Sequence, residues 1–208
     1  MTEAFRPRLV IMVKEPKAGR VKSRLARDIG AVLATRFYRE TMNSAVWRLG
    51  NDSRWQTMLA VSPDAAIASN MIPADYTRIR QRSGDLGQRL QRVVDGVPPG
   101  PVVIIGTDIP GIGPSDIWAA FRALGSHDAV FGPASDGGYW LVGLKRRPSC
   151  PRIFDGVRWS TAFALGDTKA NLKGLRLAEI CGKDDVDDGR DLARLAHLAG
   201  RRIAGNQR

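Results

Sequence analysis

The chain has 208 residues, 43% of them hydrophobic and 25% charged, which suits one globular domain spanning 1–208 and excludes a largely disordered polymer. Thirty-two Lys and Arg against 21 Asp and Glu give a formal charge of +11, which favours anionic partners such as phosphate esters. No run approaches the ~20 apolar residues of a membrane span, the apolar stretch after Met1–Arg8 is too short for a signal-peptide core, and Cys150 and Cys181 lack metal-like or redox-like spacing, so a cytoplasmic protein is expected.

In chain order, Leu9 to Val13 is a continuous apolar run that reads as a central strand buried on both faces. Lys14 to Lys22 follows as a polar loop. Arg24 to Leu49 is helix-compatible, with Leu33, Phe37, Thr41 and Ala45 at fourfold spacing, and Gly30 is expected to break it in two. Gln56 to Val61 and Thr77 to Gln81 read as strands, and Asp85 to Val94 as a short helix with Leu86, Leu90 and Val93 or Val94 on one side. Val102 to Ile105 is a second buried strand, followed by a helix over Asp116 to Leu124 with Ser115 as its N-cap. Ala129 to Phe131 and Tyr139 to Leu144 are strands around a Gly-rich turn, Thr161 to Leu172 can be helical, Leu175 to Ile180 is a strand, and Asp187 to Ala199 is a closing helix. This alternation implies βαβ units and a mostly parallel mixed sheet covered on both faces, a three-layer αβα architecture that binds ligands beyond the carboxyl ends of its strands.

Three segments could carry chemistry. The first, Lys14 to Arg24, gathers Lys14, Arg20, Lys22 and Arg24 around Gly19 between a buried strand and a helix start, where free N–H groups and cations suit phosphate oxygens. It is neither a P-loop nor a Rossmann fingerprint, and an ordinary solvated basic loop explains it equally well. The second is Gly106-Thr107-Asp108-Ile109-Pro110, which sets a carboxylate at the end of the strongest strand, where Mg²⁺ can be held by one or two carboxylates together with substrate phosphates. Asp187, in Asp185 to Leu192, is a possible partner, although aspartate at a helix start is more often a cap. The third is Ser135 to Trp140, where Asp136, Gly137, Gly138 and Tyr139 form either a tight turn or a close approach to a ligand. Asp85 and Trp159-Ser160 read more weakly, as helix starts. Two histidines, without HExxH, a Cys/His cluster or GxSxG, disfavour zinc and serine hydrolysis, and arginines scattered from Arg6 to Arg208 do not form a nucleic-acid-binding face.

Taken in order, Pro16 to Leu25, Asp85-Leu86-Gly87, Gly106-Thr107-Asp108 with Pro110, Asp136-Gly137-Gly138-Tyr139 and Trp159-Ser160 resemble the GT-A glycosyltransferase-like family found beside radical-SAM/selenodomain proteins. Its wider relatives include molybdenum-cofactor and phospholactate guanylyltransferases. The resemblance implies a nucleotide-diphospho-sugar transferase (GT-A) fold and a nucleotidyltransferase or glycosyltransferase acting on a nucleoside triphosphate or nucleotide-sugar and a small-molecule acceptor. By it, Lys14, Gly19, Arg20, Lys22, Arg24 and Asp85 would bind the nucleotide, and Asp108 and Asp187 would hold Mg²⁺ or Mn²⁺. Lys22 and Asp108 would be catalytic, while Asp136, Gly137, Gly138, Tyr139, Trp159 and Ser160 would line the acceptor or sugar pocket. Ile109 stands where the family often has Cys, and Gly189-Arg190 where related transferases have Pro-Glu, which sets an arginine beside Asp187. A nucleotide-binding regulatory protein without turnover is the alternative.

Overall fold

In the computed structural model, which describes residues 5–146 and 152–205, the strands that were richest in branched apolar residues lie at the centre of one seven-stranded sheet. The elements are β1 (Arg8–Lys14), α1 (Ser23–Ile29), α2 (Ala31–Gly50), β2 (Gln56–Ser62), β3 (Thr77–Arg80), α3 (Leu86–Gly96), β4 (Val102–Ile105), α4 (Pro114–Ser126), β5 (Ala129–Pro133), β6 (Tyr139–Leu144), α5 (Ala164–Ala170), β7 (Leu177–Glu179) and α6 (Gly189–Gly205). The sheet order is β3-β2-β1-β4-β6-β5-β7. Only β6 runs against its neighbours, since β1 pairs in parallel with β2 and β4, β2 with β3, and β5 with β7.

Side chains of a strand point alternately to opposite faces, and here both faces are covered. Leu9, Ile11 and Val13 pack with Tyr38, Met42, Val46 and Leu49 of α2 and with Ile117 and Phe121 of α4. Val10, Val102 and Ile104 pack on the other side with Leu90, Val93 and Val94 of α3. The result is the three-layer αβα fold with a mostly parallel mixed sheet. No helix among the described residues is long and apolar enough to cross a membrane.

Several sequence expectations shift here. The helix does break at Gly30 (φ 84°), but α2 buries Ala34, Tyr38, Met42, Ala45, Val46 and Leu49, leaving Leu33 exposed. The inward face is thus offset by one residue along most of the helix from the expected fourfold row, because packing against β1 selects the large side chains Tyr38 and Met42. Helix α4 begins at Pro114 with Gly113 as N-cap, and Asp116, not Ser115, supplies the capping carboxylate by accepting from Gly113 N at 2.8 Å. Helix α5 is shorter than expected because Thr161 Oγ1 bonds locally to the Arg158 carbonyl at 2.7 Å, holding 158–163 as a loop. Helix α6 starts at Gly189, and Cys150 and Arg147 lie outside the described residues.

Candidate functional site

A cleft of about 760 Å³ opens beyond the carboxyl ends of β1 and β4. Lys14, Arg20, Lys22, Arg24, Asp108, Asp136, Gly138, Tyr139, Trp159, Ser160 and Asp187 line it, whereas Gly19, Asp85 and Gly137 do not. Asp85 instead caps α3, accepting from Gln88 N at 2.8 Å.

The basic loop leaves β1 under tight control. Tyr38, buried on α2, accepts a hydrogen bond from the Lys14 backbone N–H at 2.7 Å and lies 3.2 Å from Thr107 Oγ1. One phenol therefore joins the end of β1 to the Gly106-Thr107-Asp108 turn, and burial pushes its pKa up to about 12, so it stays protonated. Lys17 bonds to the Glu15 carboxylate at 2.8 Å, which holds that carboxyl below its ordinary range and directs Lys17 to a structural partner.

Lys22 is the centre of the site. It takes a left-handed backbone conformation (φ 47°, ψ 51°) at the start of α1, an arrangement that costs a non-glycine residue roughly 1–2 kcal/mol. Its side chain is only 5% exposed, and its Nζ lies 3.3 Å from Asp108 Oδ1 and 3.2 Å from Asp187 Oδ1. Arg24 reaches the other oxygen of Asp187 at 3.2 Å. The cations of the loop and the two acidic side chains thus meet on the same side of the molecule.

Asp187 is available for this because its neighbour does the capping. Asp188 Oδ1 accepts from the N–H groups of Arg190 and Asp191 at 2.8 and 3.0 Å. Upstream, Val186 buries its side chain and donates its N–H to the Asp108 carbonyl at 3.3 Å, so the residues on either side of it line the cleft. One of these, Asp185, was not singled out from sequence. Burial pushes its carboxyl up to about 6, the Asp187 carboxylate adds repulsion, and Lys22 opposes both. Its only sequence signal was membership of a run of aspartates before a helix.

On the far side of the cleft the hairpin β5–β6 presents its turn. Asp136 Oδ1 accepts from Gly138 N at 2.8 Å, an Asx turn. Gly137 has φ 84°, and a Cβ there would stand 2.3 Å from the Ala162 carbonyl oxygen, so this glycine lets the 158–163 loop close over the turn. Gly137→Ala is expected to cost about 2–3 kcal/mol in a urea unfolding curve, from strain plus backbone overlap; a cost below about 0.5 kcal/mol would show that the two loops are not pressed together. Beyond the turn, Tyr139 stands edge-on to Phe131 and Trp159, with ring centroids 5.4 and 6.2 Å apart. Trp159 in turn seats over Gly87, where a Cβ would lie 2.8 Å from the indole nitrogen, which ties the Asp85-Leu86-Gly87 motif to the Trp159-Ser160 motif.

Residues 44–161 match the family described as "Uncharacterized protein conserved in bacteria (DUF2064)". The chain belongs to that family. The matched span holds Asp108, Asp136 and Trp159, while Lys22 and Asp187 lie outside it. Among curated proteins none matches this DUF2064 member. Among solved structures it is similar to a candidate nucleotide-diphospho-sugar transferase from Desulfovibrio desulfuricans G20, with 27% identity, a TM-score of 0.82, and coverage of 92% of this chain and 86% of that one. It is similar in fold to CMP:2-keto-3-deoxy-manno-octonic acid synthetase complexed with CTP (12% identity, TM-score 0.58, covering 95% of this chain and 99% of that one). A third likeness is to Rv0371c of Mycobacterium tuberculosis H37Rv in complex with manganese (18% identity, TM-score 0.55, 92% and 97% covered). The fold of this DUF2064 chain is therefore that of the nucleotide-diphospho-sugar transferases.

Proposed function

We propose that this protein is a metal-dependent transferase that uses a nucleotide or nucleotide-sugar donor, within the radical-SAM/selenodomain-associated branch that its motifs resemble. The observation that carries the reading is the convergence of Lys22 Nζ on Asp108 and Asp187, at the ends of parallel strands, with Arg20 and Arg24 lining the same cleft. Phosphoryl-type and glycosyl transfers from a nucleotide need charge stabilisation and positioning more than a protein nucleophile. The set of side chains here supplies both.

Among the described residues no group of three or more His, Cys, Asp or Glu is arranged to hold a metal ion. The fit to Mg²⁺ or Mn²⁺ rests instead on two carboxylates, both part-exposed to the cleft and already facing one cation, with donor phosphates completing the oxygen shell. Asp108 and Asp187 would hold the ion, which would supply neutralisation of phosphate charge. Lys22, Arg20 and Arg24 would bind the phosphate chain and steady the negative charge that gathers on the leaving phosphate. Asp136 and the Gly138 turn, walled by Tyr139 and Trp159, would seat the acceptor or sugar so that it reaches phosphorus or the anomeric carbon in line.

The likeness to a CTP complex and to a manganese complex supports this choice of donor and ion. The test is a melting-temperature screen of nucleoside triphosphates and sugar nucleotides with and without Mn²⁺. A bound donor raises the melting temperature by mass action, and a flat response across the whole panel overturns the reading. For the donor that binds, release of pyrophosphate marks nucleotidyl transfer, and release of a nucleoside diphosphate marks glycosyl transfer.

A further inference from the structure

The bond pattern of β1 changes where β4 leaves it. Strand β1 pairs with β4 only at residues 8–11, opposite Val102–Ile105, but runs on beside β2 to Lys14. In a strand flanked by two parallel neighbours, alternate residues turn their backbone groups to opposite sides. Arg8 gives its N–H to the Pro101 carbonyl ahead of β4, and Glu15 gives its N–H to the Ser62 carbonyl of β2. The even-numbered residues of β1 therefore face β4, and beyond Ile105 the Met12 carbonyl and the Lys14 N–H face the gap that β4 leaves.

Two hydroxyls fill that gap. Lys14 N–H donates to Tyr38 Oη at 2.7 Å, Tyr38 Oη lies 3.2 Å from Thr107 Oγ1, and Thr107 Oγ1 lies 3.4 Å from the Met12 carbonyl oxygen. A carbonyl only accepts, so the Thr107 proton goes to Met12 and the Tyr38 proton to Thr107. The bonds form a one-way chain that starts and ends on β1. Tyr38 is 4% exposed and Thr107 2%, so a hydroxyl deprived of its partner there is costly. Thr107 immediately precedes Asp108, and the chain thus fixes how far the Asp108 turn stands from the end of β1 and from the basic loop that begins at Lys14. The Asp108 side chain is 47% exposed, so its aim depends on the backbone that carries it.

We infer that Tyr38 is a positioning residue: acting through Thr107, its hydroxyl sets the Asp108 carboxylate for the divalent ion. This rests on the reading of Asp108 as a metal ligand. Partners that orient metal ligands from behind commonly hold about tenfold to a hundredfold of metal affinity. Here the influence passes through one neutral hydroxyl to another, which places the effect at the lower end.

The test counts free Mn²⁺ by electron paramagnetic resonance in titrations of the full chain at millimolar concentration, which reads binding without turnover. Tyr38→Phe keeps the ring packed against β1 and drops only the hydroxyl, and it is expected to weaken Mn²⁺ binding about tenfold. Thr107→Val should match it, Thr107→Ser should stay close to wild type, and the Tyr38→Phe/Thr107→Val double variant should be no weaker than either single one, because both substitutions break the same chain. A lower melting temperature is expected as well; a purely structural role would give that fall with Mn²⁺ affinity unchanged. Unchanged affinity in Tyr38→Phe, or additive losses in the double variant, overturns the assignment and leaves the transfer reading standing. Absence of Mn²⁺ binding by the wild-type chain, both alone and with nucleoside triphosphates, overturns both. If Tyr38→Phe fails to fold, the Thr107 pair decides, since equal Mn²⁺ affinity of the Val and Ser variants overturns the assignment.

Discussion

Asp108→Asn is expected to abolish metal-dependent turnover, by about a hundredfold to a thousandfold, while the melting temperature stays within a few degrees of wild type. The size of the catalytic loss follows from the site's dependence on charge. Asparagine keeps the shape of aspartate but offers a neutral, weaker oxygen to a divalent ion, and with only Asp187 remaining the ion would lose one of the two carboxylates that face it. The small structural effect follows from exposure and redundancy. The Asp108 side chain is 47% exposed, and Lys22, its ionic partner at 3.3 Å, keeps Asp187 at 3.2 Å. Solvent at the Asp108 end screens this pair, and the enclosed Lys22 ammonium keeps a carboxylate partner, so loss of the Asp108 charge costs little stability. The measurement is initial rate against Mn²⁺ concentration for both proteins, together with their thermal melts. Unchanged turnover would remove Asp108 from the site, and a collapse of the melt would mean that the residue serves the fold.

Much of the architecture was written in local pattern, and what was not depended on distant partners. Leu9 to Val13 and Val102 to Ile105 announced themselves because strands covered on both faces must be apolar throughout, and they became adjacent strands at the sheet centre. Gly30 punctuated the long helix as its composition suggested. The face of α2 was misplaced because the row through Leu33 and the row through Ala34 are both plausible on spacing, and contact with β1 settles between them. The closing helix start was ambiguous for a different reason. Asp184, Asp185, Asp187, Asp188 and Asp191 all suit a helix entry, and only geometry shows that Asp188 caps, Asp187 faces Lys22 and Asp185 is pushed into the cleft by its neighbour Val186. Gln81 was not legible as a cleft residue because its two side-chain partners come from β1 and β2, far away in sequence. Tyr38 was likewise hidden, since its hydroxyl acts on Lys14 and Thr107, 24 and 69 residues away.

Lys22→Met should separate two effects that usually move together: turnover falls, yet Mn²⁺ in the absence of nucleotide binds more tightly than in wild type. The Lys22 ammonium, almost wholly enclosed, already bridges the two carboxylates that would hold the ion. A divalent ion arriving alone must therefore displace, or sit beside, a like charge; two unit charges about 4 Å apart at an effective dielectric near 20 oppose each other by about 4 kcal/mol, and the double charge of the ion makes that about 8 kcal/mol. A donor's phosphates change the balance, because they offer the ammonium a new set of anionic oxygens as the ion takes over the carboxylates. Wild-type protein should thus bind Mn²⁺ weakly by itself and much more tightly together with a triphosphate. In Lys22→Met the thioether side chain fills similar space without charge, so free Mn²⁺ should bind about tenfold or more tighter, and the triphosphate should add less to it. Removing the bridging cation also leaves Asp108, Asp185 and Asp187 to repel one another, so the metal-free variant should melt below wild type and gain more from added Mn²⁺. Counting free Mn²⁺ by electron paramagnetic resonance during a titration reads the affinity directly, without recourse to activity. If the variant binds the ion no better than wild type, Lys22 does not stand in for the metal, and its part is confined to gripping phosphate.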